Sequence, residues 1–542
     1  MGAPLQQSTV TALAGVSLLV VVYNVRSPGY LVLAFTAQWL AQLTMWGIWT
    51  TFVYPHFMSP LRHLPQPKGS HWLLGHGRKL ISESPGAPLR EWSVVPLHRS
   101  PSTSITLASC ANMLLRITGL EHDGLIRYLF FFNRERLIVA SPKALAEVLV
   151  TKTYMFEKPD AVRNALGRVL GHGVLLAEGD EHKLQRKKLM PAFAFGHVKG
   201  LYPTFWMKAR EVAQAMTAAC GDATTTVLEV NGWASRCTLD IIGMAGMGAD
   251  FGAIQDGNNP LAQTYARLAR PTRQAKELMV LGTFLPGWLL NHLPMERNED
   301  IDAAAQRIRA VCRDLIRRKK RRMANKAPAD LDMLSVALES GLFTDEQLVD
   351  QLMTFLAAGH DTTASALTWS VYLLSRHAEK QQRLRDEVRA TLPSIDDADG
   401  EVSCADVDRM PYLHAPRAAD DARGGRRHDR QGQFVPRGTR IVLSPWGDDA
   451  GEFRPERWLA AASGGAASNY AFMTFLHGPR SCIGAAFARA EMACLLAAWV
   501  GRFEFALADE ALMDERNLRF KAAVTARPAD GMHIRTRVVE GW

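Results

Sequence analysis

Phe475–Gly484 reads FLHGPRSCIG and places one cysteine, Cys482, in a glycine-punctuated loop two residues after Arg480. Structural cysteines belong in apolar helices or strands, so this sulfur is set apart for metal binding or reactivity. Gly478 and Gly484 permit close backbone approach and Pro479 stiffens the turn. Arg480 and nearby backbone N–H groups favour a thiolate. The helical run Ala485–Val500 follows, which puts the sulfur near a helix N-terminus. A buried thiolate without zinc partners fits an axial ligand to haem iron. A cysteine nucleophile is the rival reading, but the local sequence suggests no histidine-plus-acid pairing.

Two further stretches could do chemistry. In Ala358–Thr363 (AGHDTT) an acid, Asp361, stands beside a hydroxyl, Thr362, in the middle of an apolar helical run. Gly359 weakens a helix, and paired threonines compete for its carbonyls. Asp361 and Thr362 can relay protons into a cavity; the bland alternative is a kink with its polar groups facing out. In Asp180–Ala192 (DEHKLQRKKLMPA), His182 and Arg186 are four residues apart and share a helix face. A solvated basic face explains them simply, and a clamp on a ligand carboxylate explains them functionally.

These groups need a scaffold. Most of Asp123–Leu384 has helical periodicity, and Val349–Ser375 is its longest run, enough to span roughly 40 Å. The chain has 542 residues, 47% apolar and 22% charged, as expected of a globular protein with a large core. Sixty-three basic against 54 acidic residues give +9. That balance suits an anionic membrane surface or an acidic protein partner. The charge is scattered and no nucleic-acid motif appears, so nucleic acid is not an expected partner. The 7 cysteines form no CxxC pair, which argues for reduced thiols in a cytosol-like compartment.

Near the N-terminus, Tyr30–Tyr54 carries no charge and has Tyr30, Trp49 and Tyr54 at its ends. It is long enough for a membrane span of about 20 residues, with aromatic residues placed for the interfaces. Thr9–Tyr23 is apolar but short. A cleaved secretory signal is disfavoured, because no basic region precedes Thr9. Pro65 and Pro67 in Leu61–Gly77 then read as a stiff exit into the soluble domain. The expected division is a membrane anchor of one or two hydrophobic segments over 1–60 and one domain over 61–542.

Together the motifs resemble the cytochrome P450 haem-thiolate monooxygenases, in particular their microsomal, fungal-type members. FLHGPRSCIG matches the haem-binding loop FxxGxRxCxG at Phe475, Gly478, Arg480, Cys482 and Gly484. Ala358–Thr363 resembles the oxygen-activation motif, and Phe453–Trp458 (FRPERW) resembles the meander with Arg457. His182 and Arg186 resemble the haem-propionate pair, with histidine where many members have tryptophan. The resemblance runs from about Leu61 to Trp542. It implies a mainly α fold, a helical bundle around haem with small β-sheets, behind an N-terminal transmembrane anchor.

The same resemblance implies roles. Cys482 would ligate the iron of haem b, and Asp361 and Thr362 would steer protons. His182, Arg186 and Arg480 would neutralise the propionates. One oxygen atom of O2 would enter a small lipophilic substrate. Electrons would come from NADPH through NADPH–cytochrome P450 reductase, with cytochrome b5 as an optional donor. The protein would sit on the endoplasmic reticulum membrane with its catalytic domain facing the cytosol. Arg317–Arg322 (RRKKRR) reads as a solvated loop or, alternatively, as a docking aid. Leu278–Leu290 reads either as core or as a stretch dipping into the membrane, and Phe520–Pro528 is expected to border the pocket.

Two stretches depart from the family. The K-helix ExxR pair should follow Met410–Ala415, yet Pro416–Gln433 contains no glutamate. Asp420 and Arg423 imitate only its spacing. Suitable codons for Ala422–Gln431, read one nucleotide later, give a family-like strand, so 416–433 reads as an out-of-frame segment. Residues 96–120 read as an insertion, and Cys110–Asn112 can be encoded by an intron branch-point sequence. These departures leave a product without stable haem as one alternative. A haem-thiolate isomerase or dehydratase is a second, against which the Asp361–Thr362 pair argues.

Overall fold

The structure is a computed structural model that describes residues 8–15, 17, 20, 27–83, 86–93, 123–221, 224–270, 272–282, 285, 287–325, 332–414, 434–443, 453, 455–459, 470, 472–522 and 525–542. The insertion at 96–120 and the segment 416–433, with Asp420 and Arg423, lie outside them. So does the side chain of Arg457. The chain divides into two compact units, 1–144 with 425–444, and 145–424 with 445–542.

The first unit begins with the apolar helix α1 (Pro28–Ile48), which continues as a wider turn over Trp49–Met58. Together they make one helix apolar and long enough to cross a membrane, with no buried residue in its most apolar window. The shorter segment before it is helical at 8–15 and leans on α1, where Trp39 donates to Thr9 Oγ1 at 3.3 Å. The proline exit is pinned by its carbonyls. Arg127 N donates to Pro65 O at 2.9 Å, and a ring nitrogen of His76 lies 2.9 Å from Pro67 O. These bonds reach a three-stranded sheet of β1 (Leu125–Leu129), β2 (Glu135–Val139) and β4 (Arg440–Leu443). β1 runs antiparallel to β2 and β4 parallel to it, with Arg136 opposite Arg440.

The second unit is mostly helical. Its longer helices are α2 (Asp160–Leu170), α3 (Gly179–Leu189), α4 (Tyr202–Cys220), α5 (Val230–Met247), α6 (Pro260–Leu268), α7 (Glu296–Ala324), α8 (Asp345–Ser375), α9 (Ala378–Thr391) and α10 (Ala485–Arg502). β3 (Thr226–Glu229), β8 (His533–Val538) and β5 (Phe503–Leu507) form a small antiparallel sheet. β6 (Phe520–Ala522) and β7 (Ala526–Pro528) form a hairpin.

Local sequence explains why α8 forms where it does. Thr344 and Gln347 make a reciprocal capping box, and Asp345 and Glu346 favour the positive end of the helix. Helices α5, α7 and α10 pack directly on α8. The helix is unbroken from Asp345 to Ser375, so Gly359 does not loosen it as expected. That glycine serves packing instead, since a Cβ there would lie 2.8 Å from Ile242 of α5. Alanine at 359 should gain about 1 kcal/mol of helix propensity and lose about 1–3 kcal/mol to overpacking. We expect Gly359→Ala to lower the urea midpoint of unfolding.

Arg317–Arg322 also departs from expectation, being the last turns of α7 and not a loop. Cations are favourable at a helix C-terminus. Three of them are also paired: Arg318 with Asp314, buried Lys319 with Asp332, and Lys320 with Asp345.

Candidate functional site

The Cys482 loop folds back on itself. Cys482 N donates to Phe475 O at 2.8 Å, and Ser481 N donates to Gly478 O at 3.0 Å. Gly478 has φ +76°, and a Cβ on it would lie 2.1 Å from Leu149 O, so only glycine fits. Gly484 is different. Its φ is −87°, and a Cβ there would meet only Phe193, at an ordinary 3.7 Å. The protein's own packing therefore does not require glycine at 484. Cys482 is the exposed member of the described cysteines, while the other five are buried.

The charges around the sulfur are not the expected ones. Although the residue reaches solvent, the protein atoms packed near its sulfur push the Cys482 thiol up. The Gly484 N–H and the guanidinium groups of Arg186 and Arg489 pull it back only in part. Arg480 is not among these groups, because its guanidinium is paired with Glu178. The thiol thus stays protonated by itself, and a metal ion would have to displace the proton. Arg489 also lies over the rings of Phe475 and Phe472, at 4.8 and 5.6 Å from their centroids.

Helix α3 brings His182 and Arg186 to this loop. Arg186 donates to Ser481 O at 2.6 Å and to Ser481 Oγ at 3.2 Å. The helix is held by Gln185, which accepts at 2.9 Å from Gln351, a buried residue of α8. His182 is buried, and Tyr154 Oη lies 3.1 Å from its Nδ1. Burial, followed by the charges of Arg480, Lys158 and Arg186, lowers its pKa to about 4. The ring is therefore neutral at neutral pH and offers an N–H donor. Arg480 lies over Tyr154, 5.1 Å from the ring centroid. Its buried Nε has no hydrogen-bond partner among the described residues.

In the centre of α8, Thr362 is exposed although His360 and Thr363 beside it are buried. Its hydroxyl donates to Ala358 O at 2.7 Å, and Thr363 bonds Gly359 O at 3.2 Å. The pair thus bonds its own helix without breaking it. Asp361 does not stand free. It forms an ion pair with Arg527 and accepts from Thr525 Oγ1 at 2.8 Å. One and two turns further along, Ser365 and Trp369 both donate to Ala526 O at 2.9 Å. Asp361, Ser365 and Trp369 thus form a stripe that clamps the β6–β7 hairpin to α8. Sequence reasoning placed this hairpin near the site but missed the clamp. The spacing of 361, 365 and 369 was its only available signal.

His360 points a different way. It is 1% exposed, its Nδ1 lies 2.5 Å from Leu356 O, and its ring packs 4.5 Å from that of Tyr265. Burial lowers its pKa from 6.5 to about 4, with the bond to Leu356 O opposing and Arg527 assisting. Unfolded, the imidazole takes up its proton near pH 6.5; folded, it does so only near pH 4. The unfolded chain then binds more protons throughout that window, so stability falls as pH falls. The loss from this group is on the order of 3 kcal/mol, all of it below its unfolded pKa. Urea midpoints followed from pH 7 to pH 4 should fall less steeply in His360→Gln.

Comparison with known proteins accounts for the loop and the fold. The family model for cytochrome P450 matches residues 119–416 and 428–530. Its match begins at the end of the 96–120 stretch and skips part of 416–433, the two places where the sequence departs from the motifs. Cytochrome P450 monooxygenase sphH of Aspergillus fumigatus is 42% identical over 527 positions, covering 91% of each chain. ALT8 of Alternaria alternata is 39% identical, covering 92% of this chain and 93% of its own. FUM15 of Gibberella moniliformis is 40% identical, covering 91% of each. Both are likewise named cytochrome P450 monooxygenases. This chain belongs to the cytochrome P450 family, the haem-thiolate monooxygenases. The comparisons favour neither a haem-free product nor an isomerase or dehydratase.

Proposed function

We propose that Cys482 is the thiolate ligand of haem iron and that the chain is a reductase-dependent monooxygenase acting on a small lipophilic substrate. The observation that carries this is the Cys482 loop, which exposes one thiol beside a glycine that the protein's own packing does not need. The surrounding donors fit a dianionic porphyrin. Arg186 and Arg480 supply charge, the neutral His182 an N–H, and Gly484 the room. Phe475 lies against the loop and Gly478 permits its turn. Haem b bound there would supply dioxygen activation and O–O cleavage, favoured by the electron-rich sulfur.

The chain's own residues do the rest. Thr362 presents a hydroxyl at the exposed middle of α8 and can pass a proton into the site. Asp361 can resupply it once it parts from Arg527. The apolar helix Pro28–Met58 would anchor the protein in the endoplasmic reticulum membrane with this unit facing the cytosol. There it would meet a membrane-bound NADPH–cytochrome P450 reductase, and cytochrome b5 as an optional donor.

Turnover with NADPH, a fungal reductase and isotopically labelled O2 tests this. One labelled oxygen atom per product molecule is expected from a panel of lipophilic compounds. Conversion that proceeds without O2 or NADPH would contradict it.

A further inference from the structure

One carboxylate lies among the cations beside the haem loop, and neither the sequence motifs nor the proposed chemistry uses it. Glu178 occupies the N-cap position of α3, yet its side chain makes no capping bond there. It accepts instead from Lys158 N at 3.0 Å and Lys158 Nζ at 3.4 Å, and it pairs with Arg480. Burial by itself would push the Glu178 carboxyl up, but the bonds from Arg480 and Lys158 hold it below its usual value. It is an anion at neutral pH. The charged groups acting on His182 are Arg480, Lys158 and Arg186, opposed by Glu178. Around the ring, three positive groups thus face one negative group.

We propose that Glu178 is the counter-charge of the haem-propionate cluster. It holds Arg480 in place and offsets part of the positive charge gathered there for the propionates. Without it, more of the mutual repulsion among the partly buried cations Arg480, Lys158 and Arg186 would go unopposed. Glu178 is a positioning residue, acting on the haem through Arg480 and through its own charge. Outer partners of this kind tune the metal they do not touch.

This inference rests on the haem reading above. Its test is spectroelectrochemistry of the haem-loaded full chain. Removing a negative charge stabilises the reduced haem, which carries one more electron. Glu178→Gln should therefore shift the reduction potential to a more positive value. Lys158→Met should shift it the other way, and Glu178→Asp should keep the wild-type potential. Glu181→Gln, at an exposed position of the same helix, is the control. A purely structural Glu178 would not give shifts of opposite sign. Equal potentials in Glu178→Gln and the control, or shifts of the same sign in Glu178→Gln and Lys158→Met, would overturn the inference while leaving the haem reading intact. If Glu178→Gln loses its haem, the direction of the Lys158→Met shift decides. A wild-type chain without thiolate-ligated haem would sink the haem reading first and this inference with it.

Discussion

Serine in place of Cys482 should leave a folded chain that forms no monooxygenation product. Cys482 is exposed, and the bond that closes its loop comes from its backbone N–H. Removing the sulfur therefore costs the fold little, within about 0.5 kcal/mol as for surface substitutions generally. What is lost is the iron ligand. A serine hydroxyl sheds its proton far less readily than a thiol, and it does not supply the electron density that favours O–O cleavage. The measurement pairs a denaturation midpoint with product formation under NADPH and reductase. Equal midpoints for the haem-free wild type and variant, with product below detection from the variant, are the expected pair, since bound haem adds its own stability to the wild type. Cys494→Ser, in the buried core of α10, should do the reverse, destabilising the chain while sparing the ligand.

The second large effect belongs to Thr362. Proton transfer by a positioned group contributes about 100-fold or more to rate. Thr362→Ala should therefore cut product formation about 100-fold, while NADPH oxidation falls much less. Thr362→Ser keeps the hydroxyl and should recover most of the loss. Thr363 supplies the contrast, since it is buried and bonds Gly359 O. Thr363→Ala should act mainly on stability. Product formed per NADPH consumed, set beside the denaturation midpoint, separates the two threonines. Equal loss of coupling in both variants would remove Thr362 from its assigned role.

The site was legible where chemistry leaves a fixed spacing. The loop around Cys482 could be found because glycine is forced at 478 by the approach of Leu149 O. His182 and Arg186 could be found because four residues is one helical turn. What spacing does not carry is which charge meets which. Arg480 was expected to act on the sulfur, and it turns instead to Glu178, a partner 302 positions away along the chain. Asp361 was read only together with its neighbour Thr362, and it is held by Arg527 and Thr525 from a distant hairpin. A histidine that shares its helix face with Arg186 and lies near Arg480 and Lys158 is kept neutral, and no local pattern shows that. Gly359 misled for a similar reason. Its weakness as a helix former is local, whereas its use is to admit Ile242 from another helix.

The central claim is that Cys482 holds haem iron as a thiolate. The most direct test is the carbon-monoxide difference spectrum of the reduced full chain, expressed from this sequence. A red-shifted thiolate–carbonyl band, absent in Cys482→Ser, is the predicted result. It would also show that the chain holds haem with 416–433 as it stands. Absence of that band from well-expressed, membrane-bound protein would contradict the account.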